Sequence, residues 1–470
     1  MKRRHFLGQS AFAAGDAFAG TGFADLFMST AKAQESQSPP NIVVIVADDA
    51  GWRDVGWHGS EIRTPHLDRM AGEGVALDNF YVYAVCSPTR AALMTGRPPT
   101  RNGIAGPLQY RSGKGLPPGT VTLAELLRRR GYDTCITGKW HLGMEPEFIP
   151  NNFGFRHSYG YVGPWIDSYT HDTTDFRESM ESIRQWHRNG EFVDEAGEHV
   201  TDLITREALR FIHDIRDRTK PFFLYVPYSA PHVPCQEDLK WVRPYEDTIE
   251  NTSRRYFAAA MTHMDDGIGQ ILTALENAGL DDNTLVLFFS DNGGQKGGEY
   301  ERWLVPPGKY YMSYGATDVL GDNTPLRDWK GGHYEGGVRV PACAYWPGRL
   351  KPGIAEEPMY VCDILPTLAG LAGTDVPSGM KVEGIDVWKA INGGSTGAER
   401  RFYWHTSWQY ALRRGDWKLI HKGRTLEDGT DELYNIAEDP YEKHDRAREL
   451  PDLREEMKRE LAREAALDRM

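Results

Sequence analysis

Four short apolar runs, each closing on a cluster of polar side chains, constrain this chain more than any other feature. Ile42 to Val46 leads into Asp48-Asp49, Thr134 to Thr137 into Lys139 and His141, Phe222 to Val226 into His232, and Leu285 to Phe289 into Asp291-Asn292. Unbroken runs of this length suit strands covered on both faces. Helical periodicity lies between them. Leu123, Leu126 and Leu127 share one face of Thr122 to Arg130, which stops at Gly131, and Phe257, Met261, Met264, Ile268, Ile271, Leu272 and Leu275 mark a long amphipathic helix ending near Gly279. The alternation predicts an α/β fold with a large, mostly parallel sheet sandwiched by helices. Ligands of such sheets sit beyond the carboxyl ends of the strands, so the four polar clusters are expected to converge there.

Taken singly, each cluster is ordinary: paired acids after a strand more often cap a helix or hydrate a turn than bind metal. Together they describe chemistry. Asp48, Asp49, Asp291 and Asn292 offer only hard oxygen atoms, which suit Ca²⁺ or Mg²⁺ and not a thiolate or imidazole metal. Lys139, His141, His232 and Lys330 add cations and proton donors at the same edge. A divalent metal surrounded by lysines is a site for a tetrahedral oxyanion ester. The 470 residues include 54 Lys plus Arg against 67 Asp plus Glu, a net charge of −13, which disfavours binding of nucleic acid through a general basic field. Local cations must therefore hold any anionic ligand.

The nucleophile candidate opens the segment Cys86-Ser87-Pro88-Thr89-Arg90-Ala91-Ala92-Leu93-Met94-Thr95-Gly96-Arg97. Pro88 and the helical run after it place residue 86 near a helix N-terminus, where backbone N–H groups favour an anion, with Arg90 on the first turn. This segment resembles the signature of the formylglycine-dependent sulfatases, of the alkaline phosphatase superfamily, in which the cysteine is oxidised after translation to formylglycine. Asn41 to Trp52, Thr137 to Gly143, Ala230-Pro231-His232, Ser290 to Gly294 and Lys330 through Arg339 stand where that family has its other motifs. Gly56 to Ser60 with Ile62 to Asp68 is similar to the arylsulfatase B, or N-acetylgalactosamine-4-sulfatase, branch. Leu412 to Leu419 and Glu432 to Asn435 resemble the family's small C-terminal antiparallel sheet-plus-helix subdomain.

The resemblance implies a sulfuric ester hydrolase acting on sulfated saccharides or aryl sulfates. Sulfate monoesters need charge neutralisation, a nucleophile and protonation of the leaving alcohol. By resemblance, hydrated formylglycine at Cys86 attacks sulfur, with Asp291 and the metal activating it; Asp48, Asp49, Cys86, Asp291 and Asn292 form the metal site, with Ca²⁺ expected and Mg²⁺ the alternative. His232 protonates the departing oxygen, His141 assists collapse of the sulfated hydrate, Lys139 and Lys330 bind sulfate oxygens, and Arg90 holds the cluster. A maturation enzyme is then a required partner. Two other classes stay open: a phosphomonoesterase or phosphonate monoester hydrolase on the same fold, and a non-catalytic protein that binds sulfated carbohydrate with Cys86 unmodified.

Residues 1–33 read as an address. Arg3-Arg4-His5-Phe6-Leu7, an Ala/Gly/Phe-rich stretch and Ala31-Lys32-Ala33 resemble a twin-arginine export signal, and Asp16 and Asp25 interrupt it too often for a membrane span. A periplasmic or secreted protein is expected, with a catalytic domain over 40–350 and a C-terminal segment over 351–470. Cys86, Cys135, Cys235, Cys343 and Cys362 form neither a disulfide framework nor a zinc pattern. His58, His66, His405 and His421 read as packed or solvated; His333, three residues past Lys330, is open to a substrate contact. Leu453 to Met470 reads as a solvated helix. An insertion between Gly298 and Asn323 carries Tyr300, Trp303, Tyr310, Tyr311 and Tyr314, and reads either as a saccharide-stacking loop or as a packed surface loop.

Overall fold

A computed structural model describes residues 38–173, 183–296 and 320–469. Ten strands form one sheet: β1 (Asn41–Ala47), β2 (Val75–Leu77), β3 (Asp133–Lys139), β4 (His157–Tyr161), β5 (Trp186–Arg188), β6 (Glu191–Phe192), β7 (Phe222–Pro227), β8 (Thr284–Ser290), β9 (Ala342–Tyr345) and β10 (Gly353–Ala355). Their order is β10-β2-β9-β8-β1-β7-β3-β4-β5-β6. The four apolar runs thus become four consecutive neighbours, β8, β1, β7 and β3, and they run parallel together with β4. Antiparallel strands flank this centre on both sides, β9 beside β8 and β5 beside β4.

Alternation along β1 explains why the run is unbroken. Ile42, Val44 and Val46 face one core and Val43, Ile45 and Ala47 the other, and every residue of the strand is buried. The first core is closed by α2 (Cys86–Thr95), α3 (Leu123–Arg129) and α6 (Ile364–Leu371); the second by α1 (Pro65–Glu73), α4 (Val200–Arg210) and α5 (Thr252–Asn277). The Thr122 side chain caps α3 by accepting from Glu125 N at 3.1 Å, and Asn251 caps α5 by accepting from Arg254 N at 3.0 Å.

Four further strands, β11 (Arg401–Thr406), β12 (Gln409–Arg414), β13 (Trp417–Lys422) and β14 (Thr430–Asn435), make an antiparallel meander. Helix α7 (Pro451–Ala465) buries Met457 and Leu461 among Leu412, Leu419 and Leu433, so the C-terminal helix has a core face as well as a wet one. Trp404 Nε1 donates to Val82 O at 2.7 Å, four residues before Cys86. The buried Lys418 ammonium lies between Glu335, at 2.8 Å, and Glu442, at 3.0 Å. The meander is thereby fastened to both the segment before Cys86 and the loop after Lys330. Strand β10, beyond residue 350, pairs with β2 and so belongs to the large sheet. Among the described residues no helix is long and apolar enough to cross a membrane.

Candidate active site

The parallel register brings the four strand ends together, and backbone hydrogen bonds lock them. Asp48 N donates to Ala230 O at 3.0 Å, and Asp291 N donates to Ala47 O at 2.9 Å. Two site residues sit in left-handed backbone, Asp49 at φ 75° and His141 at φ 55°. For residues with a Cβ that conformation costs on the order of 1 kcal/mol or more, a strain characteristic of functional sites. Gly293 is required by close approach: a Cβ there would lie 1.8 Å from Gly336 O, while its own N–H donates to Gly337 O at 3.0 Å. This packs the loop of Asp291-Asn292 against the loop of Lys330.

Cys86 is the first residue of α2, preceded by Val85 in extended conformation, and is buried. Donor atoms of Asp48, Cys86 and Asp291 all lie within 4.8 Å of one another, as do those of Asp48, Asp49 and His232. Arg90, one turn along α2, donates to Asp291 Oδ2 through Nη2 at 2.7 Å and Nε at 3.1 Å, and to Lys139 O through Nη1 at 2.9 Å. The Lys139 ammonium donates to Asp48 Oδ2. Lys330 Nζ donates to Asp49 Oδ2 at 2.7 Å, and Asn292 Nδ2 to Asp49 Oδ1 at 2.8 Å. His232 Nε2 lies 3.7 Å from Asp49 Oδ2. His141 Nε2 contacts Leu108 O at 2.9 Å, leaving its other ring nitrogen buried without a partner among the described residues. Asp48, Asp49, Arg90, Lys139, Asp291, Asn292 and Lys330 are thus joined by hydrogen bonds, Cys86 and His232 lie against their carboxylates, and the His141 ring bonds to Leu108 O instead.

Burial and charge act against each other here. Burial pushes Asp48 up, but Lys139, His232, Arg90 and Lys330 outweigh it and hold the carboxylate well below its ordinary range. Asp291 is pushed up by burial and then by the Asp48 charge, against the pull of Arg90. Burial lowers His232 to about 4 despite Asp49, with Lys330 adding to the fall. His141 is pushed well down by burial and by Lys139. The Cys86 thiol is raised by burial, which exceeds the lowering from Lys139 and Lys330. An unmodified thiol held above its ordinary value is a poor nucleophile at neutral pH.

The donor chemistry fits a hard divalent cation. Asp48 Oδ1 and Asn292 Oδ1 are buried oxygens without hydrogen-bond partners among the described residues, and Asp48 and Asp291 are two carboxylates crowded into one buried site. A second group, His199, Glu237 and His263, also lies within metal-ligand spacing. There His199 Nδ1 accepts from Thr201 N at 3.1 Å while Nε2 contacts Gln236 O at 2.7 Å, and His263 is bonded on both sides by carboxylates. Those rings are already satisfied, so the group is an ion-pair network.

His333 is buried, with Lys418 and His405 as neighbours, and its backbone N–H donates to Gln409 Oε1 at 3.0 Å. His58 stacks on Trp52, with 3.9 Å between ring centroids, and His405 and His421 pair with Asp468 and Asp431. All five cysteines are buried and unpaired. The export segment 1–33 and residues 298–319 of the aromatic insertion lie outside the described residues; the insertion's last residue, Asn323, accepts from Gly294 N at 2.8 Å. Sequence reasoning did not single out Gln295, Lys296 and Trp408, which line a cleft beside Lys330. Trp408 had one legible signal, a bulky residue in the two-residue turn that joins β11 and β12.

A mixed sheet between helices, with buried carboxylates at its carboxyl edge and Cys86 opening a helix beside them, is the alkaline-phosphatase-like fold. The profile described as Sulfatase matches residues 40–374, and the chain belongs to the sulfatase family. It is similar to arylsulfatase J of Mus musculus, at 31% identity over 90% of this chain and 75% of that one, and to N-acetylgalactosamine-6-sulfatase of Mus musculus, at 34% over 81% and 71%. The crystal structure of Ps i-CgsB in complex with k-i-k-neocarrahexaose superposes with a TM-score of 0.80 at 30% identity, covering 92% of this chain and 94% of that one. The protein is a sulfuric ester hydrolase.

Proposed function

We propose that this enzyme removes sulfate from a sulfated saccharide, with sulfated N-acetylgalactosamine in a glycosaminoglycan-type chain as the substrate class, after Cys86 has been oxidised to formylglycine by a maturation enzyme. The observation that carries the reading is the placement of Cys86: first on a helix, buried, and within 4.8 Å of Asp48 and Asp291 donor atoms. Asp48, Asp49, Asp291, Asn292 and residue 86 would hold a divalent cation, Ca²⁺ by preference, which when bound neutralises ester charge and acidifies a neighbouring hydroxyl.

The chain's own residues then divide the work. A hydrated aldehyde at residue 86 presents two hydroxyls, and Asp291, raised by burial, is suited to take the proton of the one that attacks sulfur. Lys139 and Lys330, each paired with a carboxylate, are placed to share their charge with sulfate oxygens as these gain negative charge. His232, 3.7 Å from Asp49, gives its proton to the leaving sugar oxygen; a bound anionic ester favours its charged form. His141, kept neutral by burial and by Lys139, accepts the proton of the second hydroxyl, and the hydrate collapses to the aldehyde with release of sulfate. Arg90 orients Asp291 and the Lys139 backbone rather than touching substrate.

The likeness of Gly56 to Asp68 to arylsulfatase B supports a 4-sulfate, whereas relatives named for the 6-sulfate match over most of the chain. Sulfate release from matched 4-sulfated and 6-sulfated N-acetylgalactosamine saccharides, measured by ion chromatography on protein coexpressed with a maturation enzyme, decides between them. Release from neither would reject N-acetylgalactosamine as the sugar. The twin-arginine-like leader supports action in the periplasm or outside the cell, and fractionation of the producing cell tests this.

A further inference from the structure

A cleft of about 510 Å³ opens beside the cluster, lined by Val85, Pro107, Gln295, Lys296, Lys330 and Trp408 among others. Its size is that of a pocket for a sugar-sized group, and it lies next to the nucleophile, since Val85 directly precedes Cys86. Two features of its wall have no structural explanation. Trp408 is 56% exposed at the tip of a two-residue turn in which Thr406 pairs with Gln409. Such turns favour Gly, Asn and Asp, so neither turn chemistry nor burial accounts for an indole there. On the wall of the same cleft, Gln295 is only 8% exposed, yet its Oε1 has no partner among the described residues, and the exposed Lys296 follows it.

The tip is held in place by backbone and side-chain bonds. Gln409 Oε1 accepts from His333 N at 3.0 Å, which ties the turn to the Lys330 loop, and Gly331 N donates to Ala84 O at 2.8 Å, which ties that loop to the segment entering α2. Trp404 Nε1, on the same hairpin, reaches Val82 O at 2.7 Å. The turn that carries Trp408 is therefore tied to the Lys330 loop and to the segment entering α2.

We propose that this cleft is a subsite for the sugar ring adjoining the one that carries the reacting sulfate. Trp408 stacks on that ring, Gln295 accepts from one of its hydroxyls, and Lys296 pairs with an anionic substituent on it. An aromatic face with a nearby cation and a buried amide acceptor matches a charged sugar, whose apolar ring face and polar rim need both kinds of partner. The preferred substrate is thus at least a disaccharide with a second negative charge. This inference rests on the sulfatase reading above and deepens it.

The test compares kcat/KM for 4-nitrophenyl sulfate, which has no adjoining ring, with that for sulfated N-acetylgalactosamine disaccharides whose other ring is a uronate, a sulfated neutral sugar or an uncharged sugar. Trp408→Ala is expected to lower kcat/KM on the disaccharides through KM by about tenfold more than on the aryl sulfate, the scale of a buried aromatic anchor, and Trp408→Phe to recover most of the loss. Lys296→Gln should weaken the two charged disaccharides more than the uncharged one; a loss confined to the uronate or to the sulfated ring identifies the group it pairs with. Equal losses on all substrates, or none on the disaccharides, would overturn the subsite. Wild-type turnover of 4-nitrophenyl sulfate judges the sulfatase reading separately. Were it absent, calorimetric binding of the uronate disaccharide would still decide, since equal affinity of wild type and Trp408→Ala rejects the proposal.

Discussion

The loop that carries His232 is clamped at its far end by a charged histidine, and this makes a quantitative statement about stability and pH. His263 on α5 is buried, with Nδ1 at 2.8 Å from Glu237 Oε2 and Nε2 at 3.1 Å from Asp202 Oδ1. Trp241 stacks on the ring at 4.6 Å between centroids, and the His199 ring lies 4.7 Å away. Burial lowers the imidazole, but Glu237, assisted by Asp202, outweighs it and carries the group from 6.5 up to about 9. Asp202 is half-exposed and its share is screened, whereas Glu237 is buried. At about 1.4 kcal/mol per tenfold change in proton affinity, the rise is worth about 3 kcal/mol. Because the folded value lies above the unfolded one, this stability is fully present below pH 6.5 and is lost as pH rises through 9. Urea unfolding of wild type and His263→Gln, at fixed excess Ca²⁺ and at pH values from 6 to 10, measures the gap between the two proteins. The gap should narrow by about 3 kcal/mol on going to high pH. A gap that does not change with pH would refute the charged clamp.

Three other perturbations test the cluster itself. His232→Ala should slow sugar sulfates by about 10²–10⁴, and 4-nitrophenyl sulfate far less, because a phenolate needs little protonation; steady-state kinetics showing equal losses would remove its role as acid. Lys139→Ala leaves the buried Asp48 carboxylate without its hydrogen-bonding ammonium, with Arg90 still 3.8 Å away, and should cost about 3 kcal/mol of stability in the metal-free protein, read by urea unfolding; a change below about 1 kcal/mol would mean the pair is not buried as described. Chelation should abolish turnover and lower the melting temperature, with Ca²⁺ restoring both, since Asp48, Asp49 and Asp291 then repel in one buried site. A melting temperature unaffected by chelator and Ca²⁺ alike would show that the oxygen cluster holds no ion.

The parts of this site legible in sequence are those that local pattern fixes. An apolar run buried on both faces must be a central strand, and its first polar residues must then lie at the sheet edge; Asp48, Asp291 and Lys139 follow from that reasoning alone. The short outer strands were less legible. Segments such as Val75–Leu77 and Gly353–Ala355 are too short to carry a period, and their pairing across the chain is decided by tertiary packing. Pairings between distant residues were invisible for the same reason. The attachment of the meander through Trp404 to Val82, the Lys418 ion pairs and the clamp on His263 each join residues that no spacing rule links. Trp408 belongs to this group, since only the folded hairpin sets it beside Lys330.

The chemistry turns on residue 86. The most direct measurement prepares protein with graded maturation, quantifies by peptide mass the fraction of residue 86 that carries a carbonyl, and follows sulfate release from 4-nitrophenyl sulfate beside phosphate release from 4-nitrophenyl phosphate. Sulfate release proportional to the carbonyl fraction, and faster than phosphate release, is expected. Sulfate release that ignores the carbonyl fraction, or a fully matured protein that prefers the phosphate ester, would contradict it.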